Sequence, residues 1–181
     1  MAATALAMLS PLAGQAEDIN VNFTADILAT TCSMTIAALD GSTITGNAAN
    51  GYTLEMGDIS MADIVKQNAS AEKNFKFVAS QCSPELTKIT TTLATSASAS
   101  GSFIKNESTD AGDATNIGMG IKQKSTTGET WLTPGSGKFD WSDAQRTANE
   151  VEMTVALREL TAGAGTIGPF SAKATFNFTY Q

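Results

Sequence analysis

The sequence contains no histidine. A serine or cysteine nucleophile activated by an imidazole base is therefore excluded. Charged side chains are scarce, at 16% against roughly 25% in an average soluble domain. Basic residues are the scarcer kind: 11 Lys and Arg stand against 18 Asp and Glu, for a net charge of −7. The chain thus lacks the basic footprint of a nucleic-acid binder and the polybasic patch of a membrane-surface protein. No internal run approaches the ~20 apolar residues of a membrane span, and no glycine-rich phosphate loop occurs. Only two cysteines are present, Cys32 and Cys82. Far apart and without histidine, they make no recognisable metal site. Asp140 and Asp143 fall in a polar loop with no apolar surround to raise a pKa. The Asp110–Asp113 cluster lacks the ligand spacing of a known calcium loop. Neither an enzyme nor a cofactor is expected.

What the chain does have is enough apolar residues, 42% of 181, for one domain with a core and a short appendage. Ser, Thr, Asn, Ala and Gly stand where charge is missing, a polarity suited to β-sheet surfaces and extracellular proteins. Residues 1–16, MAATALAMLSPLAGQA, are apolar from Ala2 to Leu12 and end in Gly14-Gln15-Ala16, a small-x-small cleavage pattern. They read as a signal peptide, although the basic start of such a signal is missing; an ordinary disordered N-terminus is the alternative. An exported chain meets an oxidising compartment, where Cys32 and Cys82 are expected to pair. Two unrelated buried thiols are the other possibility.

The dominant pattern is alternation, the period of a half-buried strand. Ile19, Val21, Phe23, Ala25 and Ile27 alternate with Asp18, Asn20, Asn22, Thr24 and Asp26. Near the C-terminus Phe170, Ala172, Ala174, Phe176, Phe178 and Tyr180 alternate with Ser171, Lys173, Thr175, Asn177 and Thr179. Further strands are expected at Phe75–Ala79, Ile117–Ile121 and Val151–Leu157, with a Thr-rich one from Leu86 to Leu93. Turn pairs such as Asp40-Gly41, Asn50-Gly51 and Pro134-Gly135 separate them. Ser96–Ser102 reads as a flexible loop and Met61–Gln67 as a short helical turn, with no long amphipathic helix. The sum predicts an all-β sandwich. Trp131 and Trp141 flank a Gly/Pro-rich loop and are expected in the core, stacking on a sugar being the alternative. The patterned strand at 19–27 needs an acceptor: its own domain, or the exposed sheet edge of another subunit.

Several segments resemble the pilins assembled by the chaperone–usher pathway of Gram-negative bacteria. The segment EDINVNFTADILATTC is similar to the start of the minor linker subunits of type 1 pili. FKFVASQC resembles the strand that carries their second cysteine. NIGMGIKQKSTTGE resembles the glycine-punctuated central strand and turn, and GPFSAKATFNFTYQ the C-terminal strand with its penultimate tyrosine. The resemblance covers nearly the whole chain after residue 16. It implies an all-β, incomplete immunoglobulin-like sandwich completed by donor-strand exchange. The signal would occupy 1–16, the donor extension 17–28 and the pilin domain 29–181. Ile19, Val21, Phe23, Ala25 and Ile27 would be donor knobs. Phe176, Phe178 and Tyr180 would form the acceptor groove and chaperone-recognition end, and Cys32–Cys82 a bracing disulfide. The implied partners are neighbouring pilin subunits, a periplasmic chaperone and an outer-membrane usher, on a route through the periplasm to a surface fimbria that supports adhesion. Ala25 departs from the glycine common at that position. A single-domain carbohydrate-binding adhesin is the rival expectation.

Overall fold

The structure, a computed structural model, describes residues 31–181. The alternating segments form strands because one face of each is apolar and must be covered. In chain order the strands are β1 (Ser33–Leu39), β2 (Thr43–Asn47), β3 (Gly51–Glu55), β4 (Glu72–Ser80), β5 (Ile89–Ala94), β6 (Ala99–Ser100), β7 (Phe103–Lys105), β8 (Ile117–Gln123), β9 (Lys138–Asp140), β10 (Glu150–Glu159) and β11 (Thr175–Tyr180). Two short helices, α1 (Met61–Lys66) and α2 (Asp143–Ala148), interrupt them.

Six strands make one sheet in the order β1-β4-β10-β8-β7-β6, and three make a second, β11-β5-β9. The hairpin β2–β3 stands apart as a two-stranded sheet. All strand pairs are antiparallel. The core lies between the sheets. Phe75, Phe77, Val151, Met153 and Ile121 come from the larger sheet and Ile89 and Leu93 from the smaller, all at most 3% exposed. Phe77 sits at the centre, edge-on to the rings of Phe75, Phe176 and Phe178 with centroids 5.3, 4.8 and 5.2 Å away. Such T-shaped pairs add to the burial term. Trp141 is 1% exposed, and its indole N–H donates to Thr91 Oγ1 at 2.8 Å, so no polar atom is stranded.

α1 corresponds to the helical turn expected at Met61–Gln67. Ser60 caps it, its hydroxyl accepting from the Asp63 N–H. Its Ile64 joins Ala71, Ala114, Ile117 and Leu157 in a second apolar cluster at one end of the sandwich.

Three expectations need correction. Ser96–Ser102 is not only a loop: Ala99–Ser100 pairs with Phe103–Lys105 as a tight hairpin about Gly101, whose φ is +58°. The Thr-rich strand begins at Ile89 rather than Leu86, because Thr87 and Lys88 instead donate their N–H groups to the Gln181 carbonyl. The C-terminal run is regular only from Thr175; before it, the main chain is held by side chains of the Asn106 region. The sequence reading also missed α2, which is closed by a capping box between Ser142 and Gln145.

The outer face of the larger sheet is covered too. Gly118 and Gly120 of β8 lie opposite Arg158 and Ala156 of β10, and a Cβ on Gly120 would come within 2.7 Å of the Phe103 ring and 2.9 Å of Trp131. Gly118 thus leaves room for Phe103 and Leu160, and Gly120 for the rings of Phe103 and Trp131. Arg158, 2% exposed, sits 5.2 Å from the Trp131 ring. Its guanidinium donates to both Glu129 oxygens, at 2.8 and 3.1 Å, and to Glu72. Hydrogen bonding to Arg158 holds the Glu129 carboxyl below its ordinary range. The buried cation therefore pins the 124–137 segment to β10.

Gly120→Ala is expected to lower stability by about 1–3 kcal/mol through overpacking against Phe103 and Trp131, measurable by denaturant unfolding. The Glu129 pKa is lower in the folded chain than in the unfolded one, so its contribution is complete above the ordinary value of 4.5 and is lost as pH falls through the folded value. Thermal unfolding below pH 4.5 should accordingly show Glu129→Gln losing less stability with acid than the parent chain.

Candidate strand-accepting groove

The two sheets close on each other along one side and stay apart along the other. On the open side β1 ends the larger sheet and β11 ends the smaller. Between them runs a cleft of about 1070 Å³. Phe75 and Phe77 form its floor, Met34 and Ile36 of β1 one wall, and Phe176 and Phe178 of β11 the other. Leu54 and Met56, at the end of the β2–β3 hairpin, line it further along, opposite Ala172 and Ala174.

The openness is visible in β11 and its partner. Phe176, Phe178 and Tyr180 lie in register with Leu93, Thr91 and Ile89 of β5. The β5 residues are at most 1% exposed; the three β11 aromatics, pointing into the same sandwich, are only half-buried. What differs is the neighbour: β5 has a strand on each side and β11 on one.

The main chain repeats the asymmetry. The N–H and C=O of Gln181 bond to Lys88, both at 3.0 Å. Alternation along the strand then turns Thr179, Asn177 and Thr175 toward β5, and Tyr180, Phe178 and Phe176 away from it. Upstream, Ser171 and Lys173 donate their N–H groups to Asn106 Oδ1 and Glu107 Oε2, each at 2.9 Å, while the Lys173 carbonyl accepts from Thr95 Oγ1 at 2.7 Å. Ala172 and Ala174 therefore face the same way as Phe176. The side chains of Ala172, Ala174, Phe176 and Phe178 line the cleft, and from Ala172 to Tyr180 each even-numbered residue turns its N–H and C=O to an edge that no strand of the described residues pairs with. That edge is about 30 Å long at roughly 3.3 Å per residue.

One end of the cleft is held covalently. Cys32 and Cys82 form a disulfide that closes a loop of 50 residues and joins the start of β1 to the end of β4. Beside it, Thr31 donates its N–H to Ser83 Oγ, and Ser83 donates its own to the Thr31 carbonyl. The Tyr180 hydroxyl donates to the Cys32 carbonyl at 3.3 Å, and burial pushes its pKa up. The last turn of β11 is thus tied across the cleft to the disulfide.

Of the site residues expected from sequence, Cys32, Cys82, Phe176, Phe178 and Tyr180 are brought together here. Ile19, Val21, Phe23, Ala25 and Ile27 lie outside the described residues. The opposite wall was missed. Its signal was a weaker alternation, Cys32-Met34-Ile36 and Tyr52-Leu54-Met56, broken up by turns. Other candidate features lie elsewhere: Trp131 and Trp141 are at most 9% exposed, with no platform face for a sugar. Asp140 accepts from Thr90 Oγ1 and pairs with Lys88; these two partners, Thr90 first, hold its carboxyl below the ordinary range, the opposite of a general acid. Asp143 pairs with Arg146.

An antiparallel immunoglobulin-like β-sandwich whose β11 edge no strand of the described residues pairs with, above an apolar cleft, fits a structural protein better than one with a reaction centre. The particular family follows from comparison: the family model described as "Fimbrial protein" matches residues 21–181, and the chain belongs to that family. It is 44% identical over 170 residues to the uncharacterized fimbrial-like protein YadM of Escherichia coli (strain K12), covering 92% of this chain and 88% of that protein. The fold resembles that of the P pilus rod subunit PapA, with a TM-score of 0.53 and 14% identity over 90% of this chain and all of that one. The protein is a fimbrial subunit and not an enzyme.

Replacing both cysteines by serine is expected to cost about 4 kcal/mol of unfolding free energy in the chain-entropy model. Guanidinium titration of oxidised parent and double variant measures it.

Proposed function

We propose that this protein is a building block of a pilus that polymerises by donor-strand complementation, residues 17–27 of one copy filling the groove of the next. The observation that carries this reading is the edge of Ala172–Tyr180, which no strand of the described residues pairs with and whose aromatics are only half-buried. An edge of this length is an aggregation hazard unless something fills it, and a strand is the one element that satisfies side chains and main chain together.

The dimensions and energies agree. Glu17 to Ile27 is eleven residues, about 36 Å as a strand at roughly 3.3 Å each, against the ~30 Å edge. Burying Ile19, Val21, Phe23 and Ile27 at ~1.5–3 kcal/mol each contributes on the order of 6–12 kcal/mol, an upper estimate. Each main-chain hydrogen bond along the edge adds roughly 0.5–1.5 kcal/mol. The alternation in 19–27 puts all five apolar side chains on one face, as a one-sided groove requires. Ala25, larger than glycine by a methyl, faces whichever part of the floor the register assigns it.

A free subunit with this groove open would be poorly soluble, so a periplasmic chaperone fills the slot first and an outer-membrane usher exchanges it for the next subunit's strand. On this reading 1–16 is the signal that sends the chain to the periplasm, 17–28 the donor extension and 29–181 the accepting domain. The assembled fimbria stands on the cell surface and supports adhesion.

Phe23→Asp tests the donor role separately from the acceptor role. The variant is expected to co-purify with its chaperone at normal yield but to give no fibres by electron microscopy when it is the sole copy. Fibres of normal length from Phe23→Asp would refute the assignment.

A further inference from the structure

Five methionines fall among the described residues, and three of them, Met34, Met56 and Met119, line the groove. They come from three different places: β1, the segment after β3, and β8. All three are half-buried and belong to the surface that an incoming strand would cover. The other two are elsewhere: Met153 is fully buried in the core, and Met61, the first residue of α1, packs against the second cluster.

A thioether is a soft apolar group that fits irregular gaps. It is also the apolar side chain most readily converted to a polar one. A peroxide or hypohalous acid transfers one oxygen atom to the sulfur. The S–O bond forms as the O–O or O–Cl bond breaks; the sulfur is oxidised to the sulfoxide and the oxidant is reduced to water, or to chloride and a proton. In the open groove the new oxygen faces solvent and disturbs little. Beneath an inserted strand it meets Ile, Val, Phe or Ala side chains, and the strand's own N–H groups on that side are engaged with the sheet edge. The sulfoxide is then a buried acceptor without a donor, a heavily penalised arrangement.

We propose that Met34, Met56 and Met119 are an oxidative modification site that controls strand acceptance: oxidation of the unfilled subunit closes the groove to a donor strand, and an inserted strand shields the same three sulfurs. The inference rests on the donor-strand reading above. Sensitivity to oxidant is therefore confined to the interval before assembly, and the finished fibre resists the same exposure.

The test uses the full chain, the synthetic peptide Glu17–Ile27 labelled with a fluorophore, and hydrogen peroxide. Anisotropy first establishes that the unoxidised chain binds the peptide; absence of binding refutes the donor-strand reading itself. Given binding, mass spectrometry of digests should show Met34, Met56 and Met119 gaining oxygen on the order of tenfold more slowly when the peptide is bound. Met61 should react at the same rate in both, and Met153 in neither. The oxidised chain should bind the peptide about tenfold to a hundredfold more weakly, the effect of burying one unpaired polar oxygen, and methionine sulfoxide reductases should restore the affinity. In M34L/M56L/M119L, whatever its starting affinity, peroxide should leave binding where it was. Unchanged affinity after full oxidation of the three sulfurs in the parent chain, or an equal loss in the triple variant, overturns the proposal while leaving the donor-strand reading intact.

Discussion

A strand edge that no strand among the described residues pairs with, beside a partly covered apolar cleft, is the constraint on which the rest of this structure depends. Main-chain amides need partners once they are buried, and apolar side chains need to be covered. The even-numbered residues from Ala172 to Tyr180 present both requirements on one side of the fold. Neither a helix nor a loop supplies amides at the spacing of a sheet edge together with side chains every second residue; a strand does. The shape of the cleft therefore sets the chemistry that the proposed occupant has to match.

A sandwich open along one side among the described residues has to hold that side in place by other means. The disulfide between Cys32 and Cys82 fixes β1 to β4, and Tyr180 reaches across to the same corner. Phe77 couples the floor to the β11 wall through edge-on ring contacts. On the far face the buried Arg158, with Glu72 and Glu129, locks the segment carrying Trp131 onto β10. Cross-strand pairs continue the outer face: Lys76 with Glu150, and Lys124 with Asp40 and Glu152. Being exposed, these last contribute little individually. The closed side is thus rigid through packing and one buried ion cluster, while the open side relies on a covalent link and a few aromatic contacts.

On the proposed reading the groove has two states, open to water and filled as a dry core. Half-buried aromatics such as Phe176 and Phe178 suit both, since they form a wall without a partner and part of a core with one. Thioethers do so too, adapting to the occupant's side chains, but they carry a chemical liability that leucine or isoleucine would not.

Period-two patterning in the amino-acid sequence was enough to determine the class of fold, the positions of β4, β8, β10 and β11, and the inward face of each, because a strand's side-chain alternation is a local property that tertiary contacts only confirm. The cysteine pair was legible for a different reason: if the chain is exported, as its first sixteen residues suggest, two thiols have few fates. The opposite wall of the groove, the β2–β3 hairpin and the seating of Trp131 on Gly120 were not legible. They depend on which strands neighbour which across the sandwich, and residues such as Met34, Met56 and Phe170 become one surface only after β1, β3 and β11 are brought side by side. Above all, the half-burial of Phe176, Phe178 and Tyr180 was decided by tertiary structure alone. Their sequence is that of a fully packed strand, and only the absence of a neighbour along β11 among the described residues distinguishes a groove from a core.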